Sequence, residues 1–84
     1  MNDTFVIWVS GYRVNAALVV REIGGSDKAI QFEVANNPKI KLWFPRKALT
    51  ADKNIQNVLN LARWFSFNDF LRSVFDRYAD HYNR

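Results

Sequence analysis

The amino-acid sequence predicts an α+β fold, with a four-stranded antiparallel sheet followed by two C-terminal helices. Two observations predict it: apolar residues alternate with polar ones in the first half of the chain and recur at helical spacing in the second half. An apolar sheet face and an apolar helix stripe each need a partner, so the last helix should pack on the sheet. We expect a single domain over residues 1–84, β-rich over 1–47 and helical over 50–82, whose sheet is a meander that could be curled.

Four strands are expected, separated by short turns rich in Gly, Asn and Ser. The predicted strands are 4–9, 13–23, 28–34 and 39–45. The predicted turns are 10–11, 24–27 and 36–38. A helix is the competing interpretation of the second segment, because Ala16, Ala17 and Leu18 are good helix formers.

Two helices are expected after the fourth strand. Residues 51–65 hold apolar side chains at helical spacing, and Asp52 or Asn54 is the expected N-cap. The strongest periodicity in the chain belongs to the last helix, whose expected core-facing residues are Phe67, Phe70, Leu71, Val74, Phe75 and Tyr78. Residues 66–69 are similar to a capping box, so Ser66 is the expected cap of that helix.

The positive charge of the chain is concentrated in the fourth strand and the residues that follow it. The formal net charge is +4, and residues 39–47 hold four basic residues without an acidic one. Strand parity places Trp43 on one face with Lys39 and Lys41, away from the core. Arg46 and Lys47 follow where Pro45 ends the strand or marks an edge.

An exposed indole among cations is typical of two kinds of binding surface. Trp and Arg are enriched in protein interfaces, and the same residue types can stack on bases and contact phosphates. A third interpretation is a solvated edge strand that lysines protect from aggregation.

We expect a small non-enzymatic module that binds a partner protein, and a weak nucleic-acid-binding protein is the alternative. In both interpretations the binding residues are Lys39, Lys41, Trp43, Arg46 and Lys47. Trp64 is a further candidate, because adjacent Trp64 and Phe65 cannot both face one small core. If Trp64 is exposed, the partner could be a second copy of the chain, in a homodimer.

Two segments resemble a pattern found in small uncharacterised proteins of phages and plasmids. Residues 28–34 read Lys-Ala-Ile-Gln-Phe-Glu-Val, and residues 43–46 read Trp-Phe-Pro-Arg. In the family pattern a Ser usually follows the second segment, where this chain has Lys47. The resemblance covers about a quarter of the chain. It implies a small β-rich module in a mobile-element context and supplies no activity or catalytic residue.

The composition argues against catalysis and against metal or cofactor chemistry. The chain has no cysteine, which removes disulfides, thiol nucleophiles and Cys-ligated metals. His81 is the single histidine, so we expect a surface residue and no metal site. No serine lies in a nucleophile-elbow context, and residues 24–26 lack the Lys and helix of a phosphate loop. We therefore expect no enzyme activity, no catalytic residue, no metal and no cofactor.

The apolar runs are too short for a membrane span. The longest, residues 5–9 and 16–20, have five residues each, whereas a spanning helix needs about 20. The first residues include Asp3 and no basic side chain before Arg13, unlike a secretory signal. We therefore expect a cytoplasmic protein without a membrane partner.

Overall fold

The fold is one mixed seven-stranded β-sheet with a short α-helix near its end. The computed structural model describes residues 4–10 and 14–83. The strands in chain order are β1 (Thr4–Val9), β2 (Val14–Gly25), β3 (Ala29–Val34), β4 (Asn37–Pro45), β5 (Leu49–Ala51), β6 (Val58–Leu61) and β7 (Asp80–Asn83). A 3₁₀ turn (Arg46–Ala48) joins β4 to β5, and helix α1 (Asp69–Tyr78) precedes β7. The order in the sheet is β4-β3-β2-β1-β6-β5, and β7 pairs with the first part of β2.

The first four strands form an antiparallel meander in which alternate side chains enter the core. The largest fully buried side chains are Phe32, Phe44, Ile7, Leu18, Val20 and Val34. The predicted orientation of β4 is confirmed, because Leu42 and Phe44 are buried and Trp43 is exposed. The helical alternative for 13–23 is wrong over the described part of that segment. Gly11, in the predicted first turn, and Arg13, at the predicted start of the second strand, lie outside the described residues.

The sheet is curled, so that its two edge strands come close together. β4 and β5 lie at opposite ends of the sheet order, yet only the three residues of the 3₁₀ turn separate them in the chain. Ala48, in that turn, is fully buried, and its carbonyl oxygen accepts a hydrogen bond of 2.7 Å from the N–H of Ala62 after β6. The core therefore lies inside the curl, where buried Leu71, Val74 and Phe75 of α1 cover it.

The predicted fold class is wrong, because the described part of the chain has one helix and seven strands. Residues 50–82, expected to be helical, contain β6, most of β5 and most of β7 besides α1. Three asparagines in the first expected helix, Asn54, Asn57 and Asn60, are poor helix formers. Asn57 has a φ of +63°, which a right-handed helix cannot contain. β6 instead pairs in parallel with β1, with Val58 opposite Val6.

Asp52, expected to cap a helix, instead organises the loop between β5 and β6. Its Oδ2 accepts hydrogen bonds from the backbone N–H groups of Asn54 (3.0 Å) and Ile55 (2.9 Å). These are the bonds an N-cap makes, but here they close a turn. The N–H of Asp52 donates to the carbonyl oxygen of Val58 at 2.9 Å and joins the two ends of the loop.

The last helix covers Asp69–Tyr78 and packs on the sheet, with a different cap from the expected one. Asn68, and not Ser66, is the N-cap, and its Oδ1 accepts a 2.7 Å hydrogen bond from the N–H of Leu71. Phe70, expected to face the core, is 55% exposed. No helix in residues 4–10 and 14–83 has the length and apolar character needed to cross a membrane.

Candidate binding surface

Trp43 stands on the outer face of the sheet, on the side opposite the core. Its side chain is 55% exposed, although Leu42 and Phe44 on either side are 2% and 0% exposed. Gln31 of β3 is its partner across the ladder. Because both neighbours are fixed in the core, the backbone of β4 holds the indole at the surface, where it offers a rigid apolar contact.

Cations lie before and after Trp43. Lys41 precedes it by two residues on the same face of β4. Arg46 follows in the 3₁₀ turn, where its N–H donates to the carbonyl oxygen of Lys28 (2.9 Å) and its Nε donates to the carbonyl oxygen of Ser26 (2.8 Å). Lys39, near the start of β4, and Lys47, in the 3₁₀ turn, are both exposed. The five predicted site residues are here called the basic strip: Lys39, Lys41, Trp43, Arg46 and Lys47.

Glu33 offsets part of the charge of the basic strip. Its Oε2 accepts a 2.7 Å hydrogen bond from Nη1 of Arg21, and its Oε1 accepts one of 3.2 Å from Nζ of Lys41. These two bonds, the one from Arg21 foremost, hold the pKa of the Glu33 carboxyl below its usual value. Two cations share one anion in this row, so the outer face of β2, β3 and β4 keeps a positive charge.

Trp64 is exposed but lies apart from the basic strip. It follows β6 and is 64% exposed. Its neighbour Phe65 packs inward, with its ring centroid 5.6 Å from that of Phe44. One residue of the pair is therefore exposed, as expected, although a loop and not a junction between helices holds it. In residues 4–10 and 14–83, no aromatic contact joins Trp64 to Trp43.

Sequence reasoning missed a cavity of about 410 Å³ on the outer face of the sheet. Its apolar walls include Val6, Trp8, Val58 and Tyr82, and its polar groups are Asp52 and Asn60. The alternation of Trp8 with Ile7 and Val9 is a signal for the outer face. The rest of the cavity depends on β6 lying beside β1 and β7 beside β2, two pairings that a helical interpretation of 50–82 hides.

His81 lines a second cavity, of about 240 Å³, together with Arg72, Asp76, Phe67 and Phe75. In the described part of the chain, no three metal-ligating side chains are grouped so as to hold a metal ion. No protein-family model, curated protein or solved structure matches this chain.

Proposed function

We propose that the protein is a small non-enzymatic module that binds a partner protein through the basic strip. The observation that supports it most directly is the 55% exposure of Trp43, between Lys41 and Arg46. Trp and Arg are enriched among the residues that dominate the free energy of protein association. The surrounding cations favour a partner with an acidic surface, because charge complementarity speeds encounter and selects the partner.

The state of the cations favours a protein partner over a nucleic acid. Lys41 already pairs with Glu33, and one donor of Arg46 is occupied by the carbonyl oxygen of Ser26. Affinity for a phosphate backbone depends on how many phosphates the protein neutralises. Because Glu33 neutralises Lys41, at most three of the four cations of the strip could neutralise phosphates, so the strip would bind DNA or RNA weakly at physiological salt.

The proposal includes a cytoplasmic role as an accessory protein of a phage or plasmid. It draws on the resemblance of residues 28–34 and 43–46 to small proteins of such elements. These two segments are neighbours in the sheet, since β3 pairs with β4. The second segment contains Trp43 and Arg46, so the resembling residues and the basic strip overlap.

Tryptophan fluorescence can test the proposal with defined probes. The probes are a glutamate-rich peptide with one central leucine, a neutral peptide of equal length, and mixed-sequence single- and double-stranded DNA. We expect the acidic peptide to quench the fluorescence, and Trp43→Phe to abolish that response. Trp64→Phe is the matched control, because Trp64 is also exposed (64%, against 55% for Trp43) but lies outside the strip.

The other interpretations give different results, in this titration or in a separate measurement of molar mass. Quenching by DNA, with an affinity that falls linearly in log salt, would assign the strip to nucleic acid. If the molar mass of the protein doubles as its concentration rises, and Trp64→Phe restores the molar mass of the monomer, the partner is a second copy of the chain. If no probe changes the fluorescence at low salt, the proposal is contradicted, and the interpretation that remains is an edge strand that lysines protect from aggregation.

A further inference from the structure

The outer-face cavity is a separate site with an apolar floor and an aromatic wall. Val6 of β1 and Val58 of β6 are paired at its floor. The rings of Trp8 and Tyr82 form one wall, with centroids 5.8 Å apart and planes inclined by 32°. Ile55, 60% exposed, lies at the rim. The volume of about 410 Å³ falls within the usual range for ligand sites, roughly 300 to 1,000 Å³.

Asp52 places an uncompensated negative charge in this apolar setting. Its carboxylate accepts three hydrogen bonds, all from neutral donors: two backbone N–H groups and Nδ2 of Asn60 at 3.1 Å. These bonds, the one from Asn60 foremost, lower the pKa of Asp52, so it is ionised at neutral pH. The described residues that line the cavity include no lysine or arginine. Two oxygens offer about four acceptor positions, so Oδ1 keeps one for a ligand.

Neighbouring charges on the sheet add to this preference. Asp80 of β7 is paired with Ala17, which lines the cavity, and paired residues of adjacent strands share a face. A second carboxylate therefore lies on the outer face beside the cavity. Arg21, also on β2, is bound to Glu33 at 2.7 Å and does not pair with Asp52.

We infer that the cavity binds the lysine or arginine side chain of a partner protein. The apolar floor would hold the methylene stem, and the faces of Trp8 and Tyr82 would attract the cationic head. Asp52 would accept a charge-assisted hydrogen bond from it. The outer face would then carry two sites that bind groups of opposite charge. The basic strip would bind acidic groups and the cavity would bind basic ones.

Indole N–H signals in a two-dimensional NMR spectrum can test this inference. The probes are blocked glycine pentapeptides with a central arginine or lysine, or with citrulline or norleucine as uncharged counterparts. We expect the arginine and lysine peptides to shift the Trp8 signal in a saturable manner, while the Trp43 and Trp64 signals stay in place. Citrulline and norleucine should bind about tenfold more weakly, which corresponds to about 1.4 kcal/mol.

Two variants locate the interaction. Asp52→Asn should weaken the binding of the arginine peptide about tenfold. Because Asp52 also holds the loop, Tyr82→Leu provides a second variant that keeps an apolar side chain at the wall and removes one aromatic face. It should weaken the cationic peptides and leave the norleucine peptide unchanged. Trp43→Phe should have no effect, which distinguishes this site from the basic strip.

Three results would overturn the inference. Equal affinities for arginine and citrulline would show that charge is not recognised, and tighter binding of norleucine would indicate a purely apolar site. The absence of any Trp8 shift at peptide concentrations of about 10 mM would show that the cavity takes no such side chain. None of these results bears on the basic strip, whose test uses acidic probes.

Discussion

Glu33 links three strands through one carboxylate. Arg21 lies opposite it on β2 and Lys41 lies opposite it on β4. Opposite charges that face each other across a ladder stabilise that register over its alternatives. These three side chains lie beside Trp43. The ion pairs that stabilise the sheet therefore also hold Lys41 of the basic strip in place.

We predict that Glu33 gives the fold a pH-dependent stability that Glu33→Gln removes. The folded state lowers the pKa of this carboxyl, so its contribution is present above the unfolded pKa and is lost as pH falls through the folded pKa. Between about pH 7 and about pH 3, the melting temperature of the wild type should approach that of Glu33→Gln.

A matched control for this prediction is Glu22→Gln. Among the described residues, Glu22 has no ion-pair partner. The melting temperature of this variant should therefore follow that of the wild type at both pH values. If the melting temperatures of the wild type and Glu33→Gln differ by the same amount at every pH, the pairing contributes no pH-dependent stability.

At the scale of the element, the local pattern of apolar and polar residues was enough to predict some strands and helices and not others. The exposed position of Trp43 could be predicted because strand alternation is a local property. The positions of Arg46 and Lys47 just after the strand could also be predicted, because Pro45 ends the strand. The segment 51–65 could not be assigned in this way, since its apolar spacing fits a helix and a strand alike. Its structure is decided by β1, about 50 residues earlier, beside which β6 lies.

The outer-face cavity was hidden for the same reason. Its lining comes from β1, β2, β6, β7 and the loop between β5 and β6, which lie side by side only because β6 pairs with β1 and β7 with β2. Trp8 and Tyr82 are more than 70 residues apart in the chain, yet their rings are in contact. A site of this kind follows from strand pairing, and strand pairing between distant segments has no local signal.

We predict that Asn68, and not Ser66, stabilises the start of α1. The Oδ1 of Asn68 accepts the N–H of Leu71 at 2.7 Å, a donor that would otherwise lack a helical partner. Asn68→Ala should lower the free energy of unfolding by about 1 kcal/mol, and Asn68→Asp should retain the cap. Urea denaturation measures both changes. Ser66→Ala should leave the stability unchanged, and a loss as large as that of Asn68→Ala would contradict the assignment.

At the scale of the whole molecule, the two halves of the chain share one core. The meander supplies most of the buried side chains, but Leu61 of β6 and Leu71, Val74 and Phe75 of α1 complete the cluster. β6 also pairs with β1, and β7 pairs with β2. Without the second half, β1 would become an exposed edge and the core would lose its cover, so the halves cannot be independent.

We predict that the protein unfolds in one cooperative transition. Trp8→Phe/Trp64→Phe leaves Trp43 as a reporter of the first half, and Trp8→Phe/Trp43→Phe leaves Trp64 as a reporter of the second. Both fluorescence signals and the far-ultraviolet circular dichroism should give the same urea midpoint. Leu61→Ala, which opens a cavity at a residue only 9% exposed, should lower the free energy of unfolding by about 2–4 kcal/mol for both reporters. A shift of the Trp64 transition alone would mean that a β-rich first half holds its structure by itself.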